Sequence, residues 1–211
     1  LRDLIAHIGP QLAHVTAARN LPSIRQHGLR PAAELARATG YAPQGIVLRN
    51  ERLHLQGANF DATLNHQKPI LHGRTAADRI IDGHDAASWA AALDARVFFW
   101  PHRRGAKFRA SLARDLPMAI LWLSTEALLE RCADRLTLSP INSGNFLQGG
   151  AHARRGDWLF VPVRAGLPAF RENRRSRGLV RNPDSVTEIS LPGSLSVSDL
   201  DACLVRIDTA D

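Results

Sequence analysis

LAHVTAARNLPSIRQHGL, residues 12–29, decides how the chain is to be read. Leu12 to Thr16 alternates as a strand with His14 inside it. Small and polar residues then turn the chain, and Asn20 is placed to cap a helix over Leu21–His27. Pro22 is tolerated in that first turn, and Gly28 stops the helix in a left-handed conformation. A histidine at a strand end before a helix is either packed in a core corner or presented to a ligand. For the second task a neutral imidazole offers one donor and one acceptor.

The surrounding chain has 211 residues, 45% apolar and 22% charged. That favours one folded domain over residues 1–211 and argues against disorder. Lys and Arg number 27 against 20 Asp and Glu, a formal charge of +7. Such a balance suits an anionic partner (nucleic acid, a phosphorylated cofactor, an acidic surface) or reflects an arginine- and alanine-rich proteome. Cys132 and Cys203 stand far apart with no metal-ligand spacing, so neither a disulfide framework nor a zinc site is expected, and a reduced cytoplasmic setting fits. No apolar run approaches the roughly 18 residues of a membrane span. Leu1–Arg2–Asp3 does not read as a signal-peptide n-region, and the lack of an initiator Met leaves room for preceding residues.

Elsewhere the pattern predicts a lead-in helix from Arg2, broken at Gly9–Pro10, and a short helix from Pro31 to Ala38. Residues 46–55 read as a strand or hairpin and 56–73 as loop. A helix opened by Asp85 or Ser88 runs through Leu93. Two buried strands follow at 95–101 and 118–123, with a basic helix at 107–114 between them. Ser124 caps a helix over Thr125–Cys132. Further strands are expected at 136–138, 158–163, 186–191 and 204–207, with loops at 142–156 and 164–184, the latter mobile. About six strands without regular β-α-β alternation indicate an α+β domain with a split or mixed sheet rather than a doubly wound one.

There is no P-loop, no GxGxxG after a strand and no HExxH. The nine histidines show no convincing metal spacing, so no metal is expected. Three features remain. His14 and Thr16 sit at the strand end. Arg96 precedes Phe98–Phe99–Trp100, whose alternation sends one aromatic face to the core and leaves the other for a planar ligand. In DSVTEISL, Glu188 shares a strand face with Val186 and Ser190, opposite Ile189 and Leu191, which puts it in solvent or in a cleft.

The strand histidine followed by Asn20–Leu21–Pro22–Ser23–Ile24 and His27–Gly28–Leu29 resembles the start of the DarT-type DNA ADP-ribosyltransferases. RVFFWP is similar to their middle aromatic strand. VTEISLPGSLSVSDL is similar to their late strand, where a catalytic glutamate precedes a turn and a helix start. Similar pieces occur in RNA 2′-phosphotransferases. Over nearly its whole length the chain also resembles an uncharacterised bacterial family with N-x-Q-K-P, RVFFW and LSPIN-S/T-G segments, here Asn65–Pro69, Arg96–Trp100 and Leu138–Gly144.

The resemblance implies a split, mixed sheet with an NAD cleft between its halves. It implies that Glu188 is catalytic, holding the nicotinamide ribose and steadying the oxocarbenium-like transition state of ADP-ribose transfer. His14 would bind the adenosine-side ribose, with Thr16 beside it and the Val15 backbone on the nicotinamide amide. Phe99 would stack on the nicotinamide ring, and Asn20 would touch a ribose unless it caps its helix. DarT-type enzymes carry a further arginine on an NAD-binding loop, a part open to Arg49 or Arg74; either of these, or Lys68, would meet the pyrophosphate. NAD is then the co-substrate and a nucleic acid base, DNA favoured, the acceptor, as in a toxin or phage-defence effector with an antitoxin. RNA 2′-phosphotransfer, protein ADP-ribosylation and a non-catalytic nucleotide- or nucleic-acid-binding domain are the competing implications. The arginine-rich residues 102–114 and 171–181 read as a nucleic-acid backbone contact or as solvated surface.

Overall fold

The computed structural model describes residues 2–71, 76–80, 83–101, 116–146 and 153–209. Arg74 and the expected basic segment at 102–114 lie outside the described residues. The chain opens with α1 (Arg2–Ile8) and β1 (Gln11–Ala17), then α2 (Leu21–His27) and α3 (Ala32–Ala38). The expected strand at 46–55 shrinks to β2 (Leu53–Gln56). The loop expected after it contains β3 (Asp61–Leu64) and α4 (Lys68–Leu71). Leu55 and Leu64 are buried on the hairpin's inner side with Ala36 and Ile46, so this hairpin has a small core of its own.

Helix α5 (Ala76–Arg79) precedes α6 (Ala86–Asp94), which starts at a capping box in which Asp85 and Ser88 satisfy each other's backbone N–H. Next come β4 (Arg96–Pro101), β5 (Met118–Ser124) and α7 (Thr125–Cys132), the last capped by Ser124 as the sequence indicates. Strand β6 (Thr137–Ser139) is short, and of the expected strand at 158–163 only β7 (Val161–Pro162) forms. Residues 164–184, expected as a mobile loop, carry helix α8 (Gly166–Ser176). Strand β8 (Glu188–Pro192), α9 (Val197–Cys203) and β9 (Leu204–Thr209) close the chain.

The main sheet runs β7-β6-β8-β4-β1-β5-β9, and its ladders are antiparallel throughout. The α+β class holds, while the expected mixed sheet of about six strands is corrected to an antiparallel sheet of seven. Consecutive strands are seldom neighbours here, so a strand returning from a helix lands beside partners that run the other way.

Register assigns the faces. Leu12, Phe99, Leu121, Leu123, Leu138, Ile189 and Leu191 meet on one face in the largest core cluster, under Leu4, Ile24, Leu128, Phe170 and Leu200 from the helices. Complete burial of Phe99 or Phe170 contributes roughly 2 kcal/mol each. Ala13, Val15, Ile120 and Trp122 form a smaller cluster on the other face, and Trp89 and Phe146 anchor a further one against Phe98. Cys132 and Cys203 are buried, unpaired thiols. Among the described residues no helix is long and apolar enough to cross a membrane.

One ladder is incomplete. β1 pairs with β5 along its full length, from Gln11↔Ser124 to Ala17↔Met118. Against β4 it pairs only through Leu12↔Pro101 and Ala13↔Trp100. From His14 onward no β1–β4 pairing continues, which leaves a gap in the ladder in the middle of the sheet.

Candidate functional site

His14 stands where that gap begins. Its Nδ1 donates to Phe98 O across the gap at 2.9 Å. With Nδ1 carrying the proton, Nε2 keeps a lone pair for a ligand hydroxyl. Burial holds the imidazole pKa below its ordinary value, against the bond to Phe98, so the ring is neutral at pH 7. His14 lines a recess with Thr16, Asn20, Ser23, His27 and Arg30. Phe60 forms a further wall, stacked on His27 at 4.1 Å and lying 5.2 Å below the Arg30 guanidinium.

Asn20 does not cap α2. Its backbone is already helical (φ −77°, ψ −15°) because the turn Ala18–Asn20 runs straight into the helix, and its side chain makes no capping bond. Instead Asn20 Nδ2 donates to Thr16 Oγ1 and Thr63 O, each at 3.0 Å, while Oδ1 accepts from Thr63 N at 2.7 Å. The amide thus clips the β2–β3 hairpin onto β1 and fixes two sides of the recess. A partner 43 residues away leaves no local signal, and the same holds for Phe60.

Glu188 is 3% exposed, so of the two expected settings solvent is excluded. Its Oε2 accepts from Ser143 N at 2.9 Å and Ser143 Oγ at 2.8 Å. Trp100 also hydrogen-bonds the carboxylate, and the Arg155 charge lies nearby. Burial nevertheless wins and raises the carboxyl pKa above the ordinary range. Ser139, directly across the ladder from Glu188, is fully buried with no hydrogen-bond partner for its hydroxyl among the described residues. A buried carboxylate beside an unsatisfied hydroxyl is a costly arrangement that a folding core alone does not favour.

The register sets His14 and Glu188 on opposite faces. His14 opposes Leu121, on the face of Phe99, whereas Glu188 opposes Ser139, on the face of Ser190 and Phe98. Only β4 lies between their strands. Val15 and Thr16 are buried beside His14. Phe99 is 0% exposed and packs 6.0 Å from the His14 ring, as core rather than as a stacking platform. The partly exposed aromatics of this strand are Phe98 and Trp100.

Arg49 is engaged inside the protein. It donates to Asp94 Oδ2 at 2.7 Å, Asn65 O at 2.5 Å and Ile46 O at 3.2 Å, and the side chains of the pair are 12% and 6% exposed. Lys68 Nζ lies 3.3 Å from Glu51 at the surface. Arg49→Ala should therefore lower stability by about 3 kcal/mol at pH 7, because it strands a buried charge. Burial raises the folded pKa of Asp94 above its ordinary 3.8. Folded protein then takes up the proton first as pH falls, so the penalty should shrink toward pH 5. Urea denaturation at both pH values checks the size and the sign.

The 171–181 segment is largely engaged as well. Arg171 pairs with Asp184, Arg175 with Glu172, and Arg177 covers the Trp158 ring at 5.0 Å. Among the described residues no group of three or more His, Cys, Asp and Glu side chains converges on a metal position.

A family model matches residues 10–204, that of a family of unknown function, DUF7002. None of the curated proteins compared matches the chain.

Proposed function

The chain belongs to DUF7002, and from its own geometry we propose that it transfers ADP-ribose from NAD to a nucleic acid base, DNA being the favoured acceptor. The observation that carries this reading is the early end of the β1–β4 ladder at His14. It leaves the edge of β1 open beside a neutral imidazole. The dinucleotide lies in this gap, with a ribose hydroxyl on His14 Nε2 and the pyrophosphate toward Arg30, which lines the recess while Arg49 is held by Asp94. Glu188 lies one strand beyond β4 and on the opposite face, so this reading requires the ligand to pass between β1 and β4 to reach it. There a carboxylate steadies the cationic ribose as nicotinamide leaves and accepts the proton of the attacking base. Such an activity suits a toxin or phage-defence effector restrained by an antitoxin.

A second reading, nucleotide binding without turnover, is favoured by the opposite faces of His14 and Glu188 and by the burial of Phe99. Incubating the protein with NAD labelled in its adenosine half, in separate mixtures with DNA, RNA and protein, distinguishes these readings. Label on DNA is the expected result. Label on RNA or protein redirects the acceptor, retention of NAD with no product selects the second reading, and no interaction with NAD ends both.

A further inference from the structure

The segment Leu138–Gly144 stood out in the sequence without a role. Two buried arginines hold it. Arg155, 0% exposed, donates to Asn142 O at 3.0 Å, Asn145 O at 2.8 Å and Ala153 O at 2.6 Å, and lies over the Phe146 ring. Arg174, also buried, donates to Pro140 O at 2.9 Å and Ser185 O at 3.1 Å. Thr187 closes the same end through its N–H to Ser139 O and its hydroxyl to Pro140 O. Trp89 Nε1 takes the Ser143 carbonyl at 3.1 Å. What these fixed points leave is the N–H and O–H of Ser143, and both are directed onto Glu188 Oε2.

Guanidinium groups in this number are an expensive way to shape a loop, since each must be desolvated. The arrangement is better explained by what it presents. We propose that Leu138–Gly144 is a positioning device for Glu188, in which Ser143 fixes the carboxylate and Arg155 braces Ser143 through the flanking Asn142 and Asn145 carbonyls. This rests on the catalytic reading of Glu188. Ser143 and Arg155 are positioning residues, acting through Glu188. The charged groups described around the carboxylate agree with it. Arg155 opposes the effect of burial on Glu188, and burial together with Arg79 draws the Arg155 guanidinium itself down to about 10.

The test reads the carboxylate directly. Glutamate labelled with 13C at the carboxyl carbon is incorporated, and the Glu188 signal is assigned by its loss in Glu188→Gln. Its titration is then followed in the wild type, in Ser143→Ala and in Arg155→Lys. Ser143→Ala removes one donor to the carboxylate and keeps the other. Arg155→Lys keeps a charge but lacks the planar fork that reaches these three carbonyls. Both should raise the Glu188 titration midpoint. If the protein transfers ADP-ribose, the acid limb of its pH–rate profile should move up with it, by about one pH unit for loss of one charge-assisted bond. A midpoint unmoved in Ser143→Ala overturns the proposal even if Arg155→Lys fails to fold. A moved midpoint in a protein that transfers nothing upholds the device and removes the catalytic reading instead.

Discussion

Glu188→Gln should reduce the proposed ADP-ribose transfer by at least about a thousandfold while the fold survives. The amide has the size of the carboxylate and keeps an oxygen for the two Ser143 donors. It gives up one of the two acceptor oxygens that Ser143 and Trp100 bond, and with it the charge. The loss of that charge has a sign that can be measured. Burial raises the folded carboxyl above its ordinary value of 4.5, so between that value and the folded one the folded protein binds more protons than the unfolded chain. Wild-type stability is fully present below the unfolded value and declines as pH rises through the folded one. Glu188→Gln lacks this decline, so its melting temperature should gain on the wild type between pH 5 and pH 8. A group retained at the expense of stability at neutral pH is the signature of a functional acid. Transfer at the wild-type rate would remove Glu188 from the chemistry. Collapse of the fold across the whole pH range would make the carboxylate a core strut.

Much of the fold could be read locally. β1, α2, β5 and α7 carry their signals in adjacent residues: the strand before Asn20, the first-turn Pro22, the Ser124 cap. Helix α8 was hidden because Gly166, Pro168 and a run of arginines obscure its buried stripe of Leu167, Phe170 and Arg174. The last of these fills an apolar position with a guanidinium satisfied by backbone carbonyls, which no hydrophobic periodicity detects. The candidate site divides in the same way. His14 and Glu188 are conspicuous in their own segments, but Ser143 and Glu188 are 45 residues apart, as are Arg49 and Asp94. Which arginine is available to a ligand and which is consumed by an internal partner is decided only when the chain closes. Phe99 illustrates a related limit of local pattern: alternation separates the two faces of β4 but does not say which of them the helices cover.

The second large effect is expected at Gly28. Gly28→Ala should lower stability by more than about 4 kcal/mol, or leave no folded protein, because two separate costs coincide there. Its backbone lies at φ +76°, ψ −173°, a region open essentially to glycine alone. A methyl group added at this position would also stand 2.2 Å from Leu195 O, 2.9 Å from the Ser196 carbonyl carbon and 3.0 Å from Val197 N. All three are backbone atoms at the entrance to α9, so no side chain can swing aside. Relief requires separating the segments joined by Leu29 N to Leu195 O at 3.0 Å and Leu195 N to Leu29 O at 2.9 Å, whose side chains are both buried in the main core. Gly178→Ala is the matching control. Its φ is +71° with nothing within 4 Å of the added carbon, so it should cost only about 1 kcal/mol of backbone strain. Equal losses in the two variants, measured by urea denaturation, would refute the close approach. The expected gap bears on function too, because Gly28 lines the recess with His14 and Arg30. The contact that docks α2 against the start of α9 is also what holds that wall in place, so any Gly28→Ala protein that does fold should retain NAD less well than the Gly178→Ala control.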